Sequence, residues 1–558
     1  MKSRIVFAVF VVAPFLHPGV SRGGWHTDGL PVATIAGEQQ AVVATTDGSG
    51  GAIVAFTNFV GGVGFHVYAQ RVGPTGTRMW TNPGVSLSTA TGNQGGTVLL
   101  ADGASGIFAV WVETRPGTGA DIYAQRLNSS GVPQWLADGV PICSVAGEQT
   151  VPHIAKDGAG GAIVSWMDRR GGATYDLYAQ RVNAAGVVQW APGGVAICTA
   201  TNNQFSPVLT PDGLSGAVVA WSDNRSGGLN YGIYAQRVNA AGAVQWTADG
   251  VELATSAGNQ IPQIVSDGAA GAIVTWSDYA NTYVQRVTSV GTLSWIATGV
   301  VLSATAGLSS PVIVADGAGG AIVSWADTRD GSSHIYGQRI NSAGSVQWLS
   351  PTAIGGTTAP GGQSDPQLVT DGAGGAIVTW ADLRNGVDTD IYSQRVNASG
   401  AVQWTAGGVP MCTATNTQDY PVIAIDGAAG AFVVWNDNRS LSYRVYAQRV
   451  VASGLITTAV STRIPASPVS VGNNYPNPFS AHTSVDVVLG HDSAVTIEVF
   501  DVAGRRVRSL DAGRLGAGAS QLTFDAFDDR GHALPSGVYF YRVHANDATV
   551  TRKILIAR

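Results

Sequence analysis

Lysine is almost missing from this chain: Lys2, Lys156 and Lys553 are the three in 558 residues. Charged residues total 12%, and the formal net charge is −6 at pH 7. That is about half the charged share of an ordinary globular domain. No basic cluster offers a footprint for a polyanion, so nucleic acid is excluded as a partner. The nine histidines are scattered, with no H-E-x-x-H and no His/Cys set at zinc spacing. Neither a metal nor another cofactor is expected. Cysteines are also few: Cys143, Cys198 and Cys412. Each stands eight residues after a tryptophan, where other units carry Ser88, Ala254 and Ser303. A position that accepts Cys, Ser or Ala reads as a small packed site, not a disulfide framework.

Long apolar runs are absent but for one. Residues 5–16 form a twelve-residue run behind Lys2 and Arg4, followed by small residues at Gly19 and Ser21. This is too short to span a bilayer, which needs ~20 residues. It reads as the core of a secretory signal over residues 1–21. No later segment is apolar enough to cross a membrane, so the mature chain is expected to be exported with no transmembrane span.

Glycine is abundant instead, 73 of 558 residues, and the chain repeats itself. Asp-Gly pairs begin at Asp47, Asp102, Asp157, Asp212, Asp267, Asp316, Asp371 and Asp426, spaced by 55 residues except for one interval of 49. All fifteen tryptophans fall in two slots of this unit. Four short strands per unit are expected, in unit three over 152–156, 161–167, 176–183 and 187–197. The second is a continuous β-branched run, as in a strand covered on both faces. Asp-Gly and Asn183-Ala184-Ala185-Gly186 supply the turn chemistry. A ~55-residue repeat of four strands predicts an all-β fold, an eight-bladed β-propeller over residues 22–460. The eighth unit lacks its first-slot tryptophan, having Thr458 there, so the segment around Trp25 is expected to complete blade eight. Seven blades with an irregular extra unit is the alternative.

Spacing separates two rims. From Asp-Gly to the second-slot aromatic is nine residues in all eight units, and from the Tyr of Y-A-Q-R to the next first-slot Trp is twelve. From the second-slot aromatic to that Tyr the lengths run 12, 12, 12, 13, 7, 11, 12 and 11. The variable loop carries W-x-D-x-R, with Asp168/Arg170, Asp223/Arg225, Asp327/Arg329, Asp382/Arg384 and Asp437/Arg439. Unit two has Glu113/Arg115, unit five keeps Asp278 without the arginine, and unit one has Thr57-Asn58. Two readings are open. The motif can present carboxylates and guanidiniums to a polar ligand such as a glycan. It can equally be a latch, each Asp capping its loop or pairing with an arginine, Arg181-type residues included. A motif repeated five times is more often scaffold than site. The D-G-x-G-G turns resemble phosphate cradles but read as hairpins, and the regular tryptophans read as core. Asp525, Asp528 and Asp529 do not fit EF-hand spacing.

A linker over 461–472 ends the repeats. Residues 473–558 hold no tryptophan, and strands are expected at 484–489, 494–501, 521–527, 537–544 and 549–556, an immunoglobulin-like sandwich. Asn474-Tyr475-Pro476-Asn477-Pro478-Phe479, then Val499 to Arg505 with Gly504, then Ser536-Gly537-Val538-Tyr539-Phe540-Tyr541 carry a family resemblance. This region resembles the C-terminal sorting domain of type IX secretion cargo, itself similar to the Ig-like domain of flagellar hook-capping proteins. The resemblance implies passage across an outer membrane by secretion machinery and display at the cell surface. The repeats resemble uncharacterised bacterial surface propellers. The expected function is non-enzymatic binding of a glycan or surface protein, with a sialidase-like or other polysaccharide-active hydrolase and a structural surface-layer component as alternatives. Repeated equivalent carboxylates argue against a differentiated acid–base pair.

Overall fold

Unit three shows why each repeat yields one blade. Ala162–Asp168 is buried at every position, which suits its run of branched and aromatic residues between two neighbouring sheets. It pairs antiparallel with Gln149–Lys156 on one side and Asp176–Val182 on the other, and Val195–Cys198 completes the sheet. In the computed structural model, the described residues are 25–60, 64–115, 119–228, 231–255, 261–278, 280–305, 311–357, 361–456, 469–471, 474, 477–489, 492–515, 518–545 and 548–557. The signal at 1–21 and the linker at 461–472, but for residues 469–471, lie outside them.

The fold is an eight-bladed β-propeller followed by a small β-sandwich. Seven four-stranded sheets each use consecutive strands, and the eighth takes Gln418–Ile425, Ala431–Asp437 and Arg444–Val450 together with Leu30–Pro31 from the N-terminal segment. Leu30 pairs with Ala447 and Pro31 with Tyr446. First strands of successive blades touch around the whole circle, and that of blade eight touches that of blade one. The chain divides into two compact units, Met1–Thr458 and Ala459–Arg558.

One strand departs from expectation. The fourth strand of unit three is not 187–197 but Val195–Cys198. Two turns occupy the preceding stretch: Asn183 Oδ1 accepts from the Ala185 and Val187 amides, and Gly194 N–H donates to Ala191 O. Trp190 sits between them, its backbone N–H donating to Gln180 Oε1 at 2.9 Å. The tryptophan therefore anchors a loop.

The sandwich packs a three-stranded sheet (Val469–Val471, His482–Leu489, Gly518–Asp525) on a four-stranded one (Arg506–Leu515, Ser493–Phe500, Gly537–Ala545, Ala548–Ile556). Arg506–Leu515 was not expected, because it is an edge strand whose arginines and glycine mask its partly buried Val507 and Leu510. The quoted motif residues that are described serve the fold. Asn474 Nδ2 donates to Thr483 Oγ1, and Asn477 Oδ1 accepts from the Leu555 amide. The Asn477-Pro478 bond is cis, and Phe479 is buried against Phe524. Gly504 takes φ +77 in a turn, and Tyr539 of the Gly537 strand donates its hydroxyl to Pro535 O. Pro476 lies outside the described residues.

Candidate functional site

Antiparallel topology puts the first-to-second and third-to-fourth turns on one rim, and the second-to-third loops with the blade connections on the other. On the uniform rim, Asp157 Oδ1 accepts from the Ala159 and Gly161 amides while Oδ2 accepts from Arg181 Nε at 2.9 Å. Arg181 Nη1 and Trp190 Nε1 both donate to Ala240 O of the next blade. All eight units repeat this pairing of the Asp-Gly aspartate with the Q-R arginine. Arg449 and Trp25 close the circle on Pro74 O. The expectation that Arg181-type residues serve the W-x-D carboxylates is corrected. Arg181 faces Ile163 across the ladder, at the Asp157 end of the sheet, whereas Asp168 faces Asp176.

On the variable rim, Asp168, Asp223, Asp327, Asp382 and Asp437 are at most 1% exposed. Asp168 Oδ1 accepts from the Arg170 amide and Nε, and Oδ2 accepts from Arg170 Nη2 at 2.6 Å and Trp166 Nε1 at 2.7 Å. The same fork joins Arg225, Arg329, Arg384 and Arg439 to their aspartates. Each guanidinium also lies over the tyrosine of its own blade, Arg170 at 3.6 Å from the Tyr178 centroid. Glu113 and Arg115 do the same in blade two. A carboxylate whose oxygens are occupied and shielded has nothing to offer a ligand. The geometry of these ten residues is therefore that of a latch.

The latch also crosses between blades. Cys143, from the last strand of blade two, lies 3.9 Å from Asp168 Oδ2 and receives Arg170 Nη2 at 3.3 Å. Cys198 and Cys412 repeat this against Asp223 and Asp437, and Ser88 and Ser303 donate to Glu113 and Asp327. All three thiols are free and buried. Burial pushes them up to about 11 for Cys143 and about 12 for the other two. Ala254 and Ala33 occupy this place before blades five and one, the two blades without the arginine. In blade five the Trp276 indole N–H is buried with no partner.

Blade one departs furthest. Its second and third strands, Ala52–Val60 and Gly64–Val72, have nine residues each against seven in blade three. The added pairing brings Phe59 opposite Phe65, ring centroids 4.8 Å apart and each residue 37% exposed. Beside them a cavity of about 390 Å³ is lined by Gln40, Thr57, Phe65, Asn93, Gly95 and Gly96, among others. Thr57 is 6% exposed and its hydroxyl has no hydrogen-bond partner. The first strand carries a bulge in six blades, placing Gln40-Ala41, Gly95-Gly96, Thr150-Val151, Phe205-Ser206, Ser364-Asp365 and Asp419-Tyr420 in equivalent places. In this set blade two alone has glycine at both, and that leaves the cavity open. Sequence reasoning passed over Phe59, Phe65, Gly95 and Gly96. The aromatics flanking Gly61-Gly62, and a Gly-Gly where other units keep side chains, were the available signals.

The FlgD Ig-like domain family matches residues 477–549. No curated protein matches the chain. Among solved structures, the chain is similar to polysaccharide lyase Uly1 (9% identity, 75% of this chain and 91% of that one, TM-score 0.39). It is also similar to a PL25 ulvan lyase (10%, 80% and 99%, TM-score 0.37). A third likeness is to PorZ, a surface component of the type IX secretion system of Porphyromonas gingivalis (10%, 93% and 87%, TM-score 0.20). The sheet topology makes the chain an eight-bladed propeller, and the sandwich that follows it is similar to the FlgD Ig-like domain. Among the described residues, no helix is long and apolar enough to cross a membrane.

Proposed function

We propose that this chain is an exported protein displayed at the cell surface, in which the propeller is a non-enzymatic binding module for a glycan or a protein and the C-terminal domain engages secretion machinery. The observation that carries the reading is the contrast on the variable rim. Six blades fasten their loops with arginines paired to buried carboxylates, and blade one replaces the latch with an exposed aromatic pair beside an open cavity. Binding residues placed on loops of a rigid scaffold are the usual arrangement. The test is a glycan array and surface-protein capture with the purified full chain. Binding lost on Phe59→Ala plus Phe65→Ala supports the module, and binding indifferent to that pair removes blade one from it. Export is tested by fractionating cells that express the chain with and without residues 473–558; retention of the shortened chain is expected.

One observation favours a hydrolase as the second reading. Asp390, 4% exposed, has its carboxyl pushed up to about 6 by burial and by Asp388 and Asp382. A carboxyl raised toward neutrality suits a general acid. Release of reducing sugar by the full chain, abolished in Asp390→Asn, would replace the binding reading with this one.

A further inference from the structure

We propose that the cavity between blades one and two holds a neutral saccharide ring. The inference rests on the binding reading above and names its site and ligand class. At about 390 Å³, the cavity falls in the range of small-molecule sites, about 300–1,000 Å³. Its apolar wall is the ring of Phe65, held in place by Phe59 across the ladder and by Asn93 of the next blade, whose Oδ1 accepts from the Phe65 amide at 3.2 Å. An exposed aromatic face packs against the C–H face of a sugar, giving contact area and geometry together.

Around that wall stand neutral polar groups. Gln40, Thr57 and Asn93 supply amides and a hydroxyl, and none of the lining side chains carries a charge. The Thr57 hydroxyl, buried and unpartnered, is a group that a ligand hydroxyl would satisfy, since leaving it unmade costs free energy. A sulfated or uronate-rich chain would find no cation among the lining residues, so the chemistry favours an uncharged sugar. Approach is open at Gly95, where an added Cβ would meet nothing within 4 Å. The corresponding residues Thr150, Phe205, Ser364 and Asp419 place side chains in that space in other blades.

That equivalence supplies the test. Gly95→Phe installs in blade two the residue blade four carries at Phe205, filling the cavity without forcing the backbone. Calorimetric titration of the full chain with neutral hexaoses of glucose, mannose, xylose, arabinose and galactose, and with oligogalacturonate and chondroitin sulfate, is the measurement. At least one neutral hexaose should bind, and Gly95→Phe and Phe65→Ala should each weaken it tenfold or more. Thermal unfolding checks that both variants remain folded, and Ser364→Phe in blade seven should leave affinity unchanged. Neutral-sugar binding that survives both blade one–two variants overturns the site while the module stands. Binding of the acidic chains alone overturns the ligand class. No saccharide binding overturns the proposal, and capture of a surface protein then decides whether the module reading falls with it.

Discussion

Asp327 and Asp390 are both buried carboxylates near the variable rim, yet their neighbours drive them in opposite directions. Burial alone would raise Asp327, but hydrogen bonds from Arg329 and Trp325 outweigh it and hold the carboxyl below its usual range. Asp390 has no arginine fork. Burial, then Asp388 and Asp382, raise it to about 6, and its Oδ1 has no partner. A carboxyl raised on folding keeps its proton longer in the native state, so stability falls as pH rises from the ordinary aspartate range through about 6. Asp390→Asn should flatten that part of a Tm-against-pH curve and raise Tm at pH 7; an unchanged slope would place the titration elsewhere. Asp168→Asn tests the latch. Breaking its pair with Arg170 leaves a guanidinium 22% exposed, so the penalty should stand below that of a fully buried pair, roughly 2–3 kcal/mol. Asp278→Asn, in blade five without an arginine, keeps an Oδ1 to accept from the Ala280 and Asn281 amides and should cost less, about 1 kcal/mol or below. Chemical denaturation of the two variants side by side checks the difference, and equal losses would deny the latch its role.

At the scale of elements, the second strands and the Asp-Gly and Asn-x-x-Gly turns were legible because local chemistry alone sets them. Their β-branched runs need no tertiary information. The fourth strand was not legible: Trp190 looks like a strand residue, but its place is fixed by Gln180 and by Ala240 of the next blade. The latch was half legible. W-x-D-x-R announced an ion pair, but its arginine and its partner in the preceding blade are chosen by register. One unused signal was in plain view, because units preceded by Cys or Ser keep the pair and those preceded by Ala33 or Ala254 lose it, while blade seven keeps it behind Gly356. Gly186 shows the same dependence between blades. It holds φ +82, and a Cβ there would lie 2.7 Å from Trp135 of the preceding blade. Gly186→Ala combines a left-handed backbone with that clash, and should lower stability by about 2 kcal/mol in thermal unfolding. The same change at Gly160, where an added Cβ meets nothing within 4 Å, should cost less.

For the propeller as a whole, closure joins residues that are far apart in sequence. Arg439 donates to Asp28 O across 411 positions, Gln448 to His26 O across 422, and Trp25 reaches Pro74 O to tie blade eight to blade one. Such contacts close the longest loop the domain contains, and the entropy of that closure must be met by what the junction buries. Trp25 is 2% exposed and packs on Phe432, so Trp25→Ala should cost about 3–5 kcal/mol. Removing residues 25–33 goes further. It takes Leu30–Pro31 from its pairing with Ala447 and Tyr446 and leaves Arg444–Val450 as an unpaired strand edge. An exposed edge of this kind recruits another chain. The shortened protein should melt at lower temperature and form concentration-dependent oligomers in size-exclusion chromatography with light scattering. A monomer with unchanged melting would mean that the latches on the two rims hold the ring without the N-terminal strand.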